Sequence, residues 1–230
     1  MDLLVFITLL PSYLLGKYVY NMDRIEKEPK GLLIKLFIAG IGAILLTLIL
    51  SDVSKLLFPI LESNDTDIKT LFIYNYFGVG LIEEFSKWIF LLLCTWKNKN
   101  FNFLFDGIVY AVFISLGFAT VENCLYVFFG GGISTALLRA VLSVPGHVFF
   151  GVFMGYYYGL ARMNKNLKKS TLFYLIMSII LPVFLHGTFD FCLAVDNLMF
   201  VAIYAIFVII LYIISFKRIK QMSKNDKYIN

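Results

Sequence analysis

The chain has 230 residues, of which 60% are hydrophobic and only 15% are charged, and its formal net charge is +5. Soluble domains are about half apolar and about a quarter charged, so this composition excludes an ordinary soluble domain and indicates an integral membrane protein. The basic residues lie in short loops and in the C-terminal tail, where membrane topology places them, and the charge therefore does not indicate a nucleic-acid partner.

Seven apolar stretches are long enough to cross a bilayer, which requires roughly 20 mostly apolar residues. They cover residues 3–20, 31–50, 71–96, 101–129, 136–161, 172–195 and 198–216. A segment at 51–61, interrupted by Pro59, is expected to lie at the interface or to extend the second helix. The sequence therefore predicts an all-α polytopic membrane helix bundle of about seven transmembrane helices, forming one integral-membrane domain over residues 1–230.

The loops between these stretches alternate in charge. The loop at 62–69 is acidic and contains Asp65 and Asp67, and the short link near Asp196 is also acidic. The basic segments are 97–99, 162–169 and the tail at about 217–230. Because positively charged loops stay in the cytoplasm, this alternation predicts an outside N-terminus and an inside C-terminus.

Glycine recurs every four residues in the fifth stretch, at Gly151, Gly155 and Gly159. Small residues at this spacing lie on one helix face and let a neighbouring helix backbone approach closely. The pattern therefore predicts tight packing of the fifth helix against another helix.

Polar and ionisable side chains interrupt four of the stretches, although a charge at the bilayer centre costs a few kcal/mol on insertion scales. They are Glu83, Glu84 and Lys87 in the third stretch, Glu122 and Asn123 in the fourth, His147 in the fifth, and His186 and Asp190 in the sixth. Their estimated depths, about 10–18 Å from the outer span ends, place most of them in the middle to outer half of the membrane, with Asp190 shallower. We expect them to meet in one water-accessible site.

A structural interpretation accounts for some of these residues singly. Glu83 and Lys87 have the i,i+4 spacing of an ion pair that fixes helix register, and a single buried histidine is usually satisfied by a neighbour. Acidic and imidazole groups on four spans at similar depth favour a functional site instead. Asp106 and Arg139 lie near span ends, where they can reach water, and are interpreted as structural.

Carboxylate and imidazole groups in a dry cavity support two mechanisms of peptide hydrolysis. In the first, Glu122, His147 and His186 hold a divalent metal, with zinc the candidate, and Asp190 is a fourth or supporting ligand. One of the paired glutamates is then the general base. In the second, no metal takes part, a glutamate activates water directly and the histidines stabilise the oxyanion. The chain lacks the HExxH motif of many zinc proteases.

Four motifs occur in order on the predicted spans. They are Glu83-Glu84-Phe-Ser-Lys87, Phe118-Ala-Thr-Val-Glu122-Asn123, His147 with Gly151, and His186 with Asp190, preceded by the loop Asp23-Arg-Ile-Glu-Lys-Glu-Pro29. Together they resemble the PrsW family of bacterial membrane proteases, which is related to CAAX-type prenyl endopeptidases and self-immunity proteases. The resemblance covers nearly the whole chain. The first motif is EExxK and not the EExxxR of the CAAX branch, and Asp190 stands where that branch has Asn.

The resemblance implies a multi-pass protease of the bacterial cell membrane. Such a protease makes the first, extracytoplasmic cut in a single-span anti-sigma factor, which activates an extracytoplasmic-function sigma factor and a stress response. The implied partners are this substrate and the lipid bilayer, and the oligomeric state stays open. By hypothesis Glu83 activates water, Glu84 supports it or holds Lys87, and His147 and His186 bind metal or the oxyanion.

Two other classes of function remain open from the sequence. A CAAX-like or self-immunity endopeptidase would share the fold and the cavity but would act on a different substrate. A proton-coupled transporter or a non-catalytic scaffold would also contain buried Glu, His and Asp. Transporters more often show paired inverted repeats with broken helices, and no such repeat is apparent in this sequence.

Overall fold

The computed structural model describes residues 2–62 and 66–229, and over these residues the chain is helical without a β-strand. The helices are α1 (Asp2–Met22), α2 (Lys30–Leu57), α3 (Ile68–Ile73), α4 (Leu81–Thr95), α5 (Asp106–Tyr126), α6 (Gly132–Val141), α7 (Ser143–Asn166), α8 (Leu172–Ala194) and α9 (Leu198–Lys224). The predicted all-α class is confirmed. Asp65, assigned to an acidic loop from the sequence, lies outside the described residues.

Five helical segments are long and apolar enough to cross a membrane. They are Leu3–Met22, Lys30–Leu57, Asp106–Asn166, Leu172–Ala194 and Leu198–Lys224. The 61-residue segment contains both α5 and α7, separated by the short helix α6. The multi-pass membrane character is thereby confirmed, whereas the count of seven passes and the orientation stay predictions.

Two sequence-based boundaries are wrong where α5, α6 and α7 meet. The fifth stretch was expected to begin at 136, but residues up to Val141 belong to α6, and α7 begins at Ser143. The fourth was expected to continue to 129, but α5 ends at Tyr126 and a π-helical turn, Val127–Gly131, follows. The backbone reverses there because Gly130 and Gly132 adopt φ values of 151° and 57°, a region that favours glycine.

Hydrogen bonds connect the loops and the C-terminal tail that lie at one end of the bundle. The Arg162 guanidinium donates to the Trp96 carbonyl at 2.7 Å, and the Ile229 amide donates to the Asn102 carbonyl at 2.7 Å. The hydroxyl of Ser223 donates to the Met22 carbonyl. We call this the basic end, defined by loops 23–29, 96–105 and 167–171 and the tail from 217, because most lysines and arginines of the chain lie there.

Helices α5 and α7 form the centre of the bundle, and most of their side chains are buried. Their backbones touch: a Cβ added to Gly155 would lie 2.2 Å from the carbonyl oxygen of Gly107. The predicted tight packing of the fifth apolar stretch is confirmed. Since Gly151 lies one turn after His147 on the same face, this contact also turns His147 toward α5.

Buried acidic groups lie where the α1–α2 loop meets α5, at the basic end. Asp23 and Glu28 are 1% and 4% exposed, and the Glu28 amide donates to the Asp23 carboxylate at 3.2 Å. Burial raises the pKa of Glu28 to about 7 and that of Asp23 to about 6, and the neighbouring carboxylates act in the same direction. At Asp23 the hydrogen bond from the Glu28 amide and the charge of Lys27 oppose the shift only in part.

We expect Glu28→Gln to stabilise the protein at pH 8 but not at pH 5. The pKa of this carboxyl is about 7 in the folded protein and about 4.3 in the unfolded chain. Its contribution to stability is therefore fully present below about pH 4.3 and is lost as the pH rises through about 7. The melting temperature at pH 8 should rise by about 2–4 °C, the shift that ~1 kcal/mol produces in a chain of this length. Asp196→Asn, at an exposed acidic position between α8 and α9, is the control. A shift of equal size at both pH values would contradict this account.

Candidate active site

Five of the polar residues predicted from the sequence line one cavity of about 610 Å³ between α4, α5, α7 and α8, whereas Glu84, Lys87 and Asn123 do not line it. Its polar lining consists of Asn75, Glu83, Glu122, Arg139, Ser143, His147, His186 and Asp190, together with the aromatic residues Tyr74, Tyr126 and Tyr204. The cavity lies toward the end of the bundle opposite the basic end. Glu122 is four residues before the end of α5, and His147 is four residues after the start of α7.

The adjacent glutamates of α4 have different surroundings. Glu83 lines the cavity, and its Oε2 lies 3.5 Å from the Lys87 ammonium nitrogen. Glu84 is fully buried, and its Oε1 accepts hydrogen bonds from Lys87 at 2.7 Å and from the His186 Nδ1 at 2.9 Å. One carboxylate therefore faces the space that substrate would occupy, while the other holds two side chains of the site in place.

Lys87 is itself completely buried, which is rare for a lysine unless it is paired. Its ammonium nitrogen lies between Glu84 and the His147 Nδ1, 3.0 Å from the latter, and 4.0 Å from the centre of the Phe118 ring. An ammonium group can only donate hydrogen bonds, so the His147 Nδ1 accepts and its Nε2 carries the proton. That Nε2–H donates to the Glu122 Oε2 at 2.8 Å.

His186 is held in a comparable way on α8. Its Nδ1 donates to Glu84, which leaves Nε2 facing the cavity, 3.2 Å from the Asp190 Oδ2 and 3.9 Å from the Glu83 Oε2. The ring stacks on Phe150 with centroids 5.0 Å apart, and the two imidazole rings are 5.1 Å apart. Both histidines thus have one nitrogen bonded to a carboxylate, which fixes the orientation of the ring.

Asn123 does not line the cavity. Its side-chain nitrogen donates to the Thr8 carbonyl at 2.9 Å, and its oxygen accepts from the Arg139 Nε at 3.2 Å. The residue therefore ties α1 and α6 to α5 behind the site, and its supporting role stays a prediction.

Arg139 is the residue that the sequence interpretation missed. Its guanidinium donates to Glu122 at 2.5 Å and lies over the Tyr126 ring at 4.2 Å, so it is bound to the site and does not reach out to water as expected. It is the only lysine or arginine between Lys99 and Arg162. A single cation in a region otherwise depleted of positive charge was the signal that could have identified it.

Among the described residues, Glu83, His147 and His186 form a group that could hold a metal ion, with one ligand atom from each within 4.8 Å of the others. This set differs from the sequence-based one, because Glu83 takes the place of Glu122, which is engaged by Arg139. Asp190 adjoins the group. Two imidazoles and a carboxylate suit zinc, and a carboxylate on the other ring nitrogen is the usual support for a metal-binding histidine. At His147 the ammonium of Lys87 would have to move aside.

The family model described as "PrsW family intramembrane metalloprotease" matches residues 28–215. Three curated proteins named Protease PrsW are similar to this chain. The one from Oceanobacillus iheyensis is 36% identical over 94% of both chains, and the one from Clostridioides difficile is 34% identical over all of this chain and 93% of its own. The one from Bacillus subtilis is 34% identical over 80% of this chain and 79% of its own. No solved structure shows a significant match.

Proposed function

The chain belongs to the PrsW family of intramembrane metalloproteases, and we propose that it makes the first, extracytoplasmic cut in a single-span anti-sigma factor. That cut would lead to activation of an extracytoplasmic-function sigma factor and a stress response. The observation that supports the proposal is the cavity in which two imidazoles meet the carboxylates of Glu83, Glu122 and Asp190, near the end of the bundle opposite the basic end.

The proposed side of cleavage depends on membrane orientation. We propose seven passes, through α1, α2, the segment of α3 and α4, α5, α7, α8 and α9, with the N-terminus outside. The concentration of lysine and arginine at the basic end supports a cytoplasmic location for that end. Measured along the helix axes, Glu122 and His147 lie within about 6 Å of the ends of α5 and α7 that are opposite the basic end. A substrate segment just below the outer surface could therefore reach them.

In the proposed reaction Glu83 accepts a proton from water, and the water oxygen attacks the scissile carbonyl carbon. Glu83 faces the cavity, as a general base must, whereas Glu84 is turned away from it. The His186 Nε2 points into the same space and would stabilise the developing oxyanion when protonated. The C–N bond then breaks, and the leaving amine takes the proton from Glu83.

The residues present also fit a metal-assisted version of this reaction. Glu83, His147 and His186 would hold a zinc ion, which lowers the pKa of a bound water to about 7. In that version Glu84 and Glu122 orient the two imidazoles, and Asp190 is the remaining carboxylate available as a base. Metal content of the purified protein, measured together with cleavage after exhaustive chelation, distinguishes the two versions.

The proposal is tested by comparing two substrates in proteoliposomes. A single-span membrane protein should be cut on the side opposite the basic end, with the cut located by mass spectrometry of both fragments. A prenylated C-terminal peptide should not be cut. Cleavage of the prenylated peptide alone would assign the chain to the CAAX-like alternative, and cleavage of neither would favour a transporter or a scaffold.

We expect Arg139→Ala to lower kcat by about 10- to 100-fold, the usual cost of losing a group that orients a catalytic side chain. Without the Arg139 guanidinium, Glu122 loses a charged partner and holds His147 less firmly. KM should change little, and Arg139→Lys should restore part of kcat. Arg24→Ala, at an exposed position of the basic end, is the control. Equal losses in the alanine and control variants, or an unchanged kcat in Arg139→Ala, would contradict this role.

A further inference from the structure

A second large cavity, of about 750 Å³, lies between α1, α2 and α5 and shares no lining residue with the catalytic cavity. Helices α1 and α2 each pack against α5 and only marginally against each other, so a groove opens between them with α5 as its floor. Gly16 deepens the groove, because a Cβ there would already lie 3.2 Å from the Leu116 side chain. Its remaining walls are largely apolar and include Leu33, Phe37 and Phe113.

The groove has a charged mouth at the basic end. Lys17 on α1 and Lys30 at the start of α2 line it, together with the polar groups of Tyr20 and Asn21. Both lysines are exposed, and neither makes an ion pair within the described part of the chain. Asp and Glu do not occur among the residues that line the groove. Two cations without an ion-pair partner therefore lie at the mouth of an apolar groove.

The length of the groove matches one leaflet of a bilayer. Along α1 it extends from Asn21 to Leu9, which is about 18 Å at 1.5 Å per residue. Half of a bilayer's hydrocarbon core is about 15 Å thick. A molecule with an anionic head at the lysines and an apolar chain along α5 would thus fit with its head at the membrane surface.

We propose that this groove is a binding site for an anionic phospholipid of the leaflet at the basic end. The phosphate would contact Lys17 and Lys30, and one acyl chain would lie over Gly16 against Phe113 and Leu116. Charge argues against a protein helix as the occupant. A single-span protein or a second copy of this chain in the same orientation would bring its own basic end to the two lysines and be repelled.

A bound lipid would also connect to the site through α1. Thr120 on α5 donates to the Ser12 hydroxyl at 2.7 Å within the groove, one turn of α1 away from Thr8, whose carbonyl holds Asn123. An acyl chain that fills the groove would lie beside these contacts. The lipid site is nevertheless independent of the proposed reaction, because it shares no side chain with the catalytic cavity.

The test is lipid binding by native mass spectrometry of the whole, detergent-purified chain, titrated with phosphatidylglycerol or phosphatidylcholine of identical acyl chains. Phosphatidylglycerol should bind more tightly, and Lys17→Gln with Lys30→Gln should weaken its binding by about 25-fold, since each lysine beside an anionic head contributes about fivefold. Lys97→Gln with Lys99→Gln removes the same charge from the same end outside the groove. This control should change binding by less than about twofold.

A second pair of variants tests the apolar part of the site. Gly16→Leu should fill the floor of the groove and weaken binding of both lipids, while Gly31→Leu, where an added side chain meets open space, should not. Equal binding of the two lipids by the unmodified protein would overturn the proposal, as would equal losses in the two lysine pairs. The proposal would also be overturned if the protein formed a dimer that Gly16→Leu disrupts and that added phosphatidylglycerol leaves intact. That result would identify a second copy of the chain as the occupant.

Discussion

Replacing Glu83 with glutamine is expected to lower the rate of substrate cleavage by about 10³-fold or more without a measurable change in melting temperature. The loss of a general base costs roughly 10²–10⁴-fold, and the same carboxylate is a ligand in the metal-assisted version. Stability should hold because Glu83 lies at the edge of the cavity and its nearest cation, Lys87, is 3.5 Å away and more closely bound to Glu84. The measurement is the initial rate in proteoliposomes, with thermal unfolding of each variant.

Glu84→Gln provides the contrast, since it changes the same functional group one residue away. Because Glu84 accepts hydrogen bonds from Lys87 and His186 inside the protein, this variant should lose both activity and thermal stability. An inactive but fully stable Glu84→Gln protein, together with an active Glu83→Gln protein, would reverse the two roles.

Lys87→Met should be the most destabilising single substitution among the charged residues of the site. It leaves the Glu84 carboxylate buried without its cation, and breaking a buried ion pair on one side costs about 3–5 kcal/mol. Methionine occupies a similar volume, so the loss reports charge and not a cavity. Thermal or denaturant unfolding of the purified protein measures it.

The double variant Glu84→Gln/Lys87→Met shows whether this cost comes from the pair itself. Removing both charges together should recover most of the stability lost in Lys87→Met, since neither partner is then left as an unpaired buried ion. Losses that simply add would mean that the two side chains contribute independently. Activity should stay low in the double variant, because His186 and His147 both lose a partner.

Much of this arrangement could be predicted from the sequence because the membrane makes polar residues informative. Glu83, Glu122, His147 and His186 stood out as ionisable groups within apolar stretches, and the structure places all four around one cavity. The close approach of α7 to α5 followed from Gly155 and its neighbours. Hydropathy and glycine spacing are patterns among residues that lie within one or two helical turns of each other, so they can be recognised in a single sequence.

Different roles were hypothesised for Glu83 and Glu84, but which of the two faces the cavity depends on how α4 is rotated, and the sequence carries no signal for that rotation. The π-helical segment Tyr74–Gly80 precedes α4 and changes the angular relation between the residues on its two sides. Asn75 and Glu83 consequently both face the cavity, whereas Glu84 turns toward α8. Hydropathy alone carries no signal for such a turn.

The contact of Arg139 with Glu122 depends on a chain reversal that no periodicity reports. The sequence predicted one helix up to residue 129 and another from 136, whereas the glycine turn after α5 folds α6 back beside the site. Only with that turn in place does Arg139, 17 residues after Glu122, lie within 2.5 Å of it.

Side chains from α4, α5, α7 and α8 are expected to act as a single hydrolytic site. The most direct test of this expectation is cleavage of a single-span membrane substrate in proteoliposomes by the unmodified protein and by the double variant His147→Asn/His186→Asn. We expect cleavage by the first and none by the second, at matched amounts of folded protein. Cleavage by the double variant at the unmodified rate would contradict this expectation.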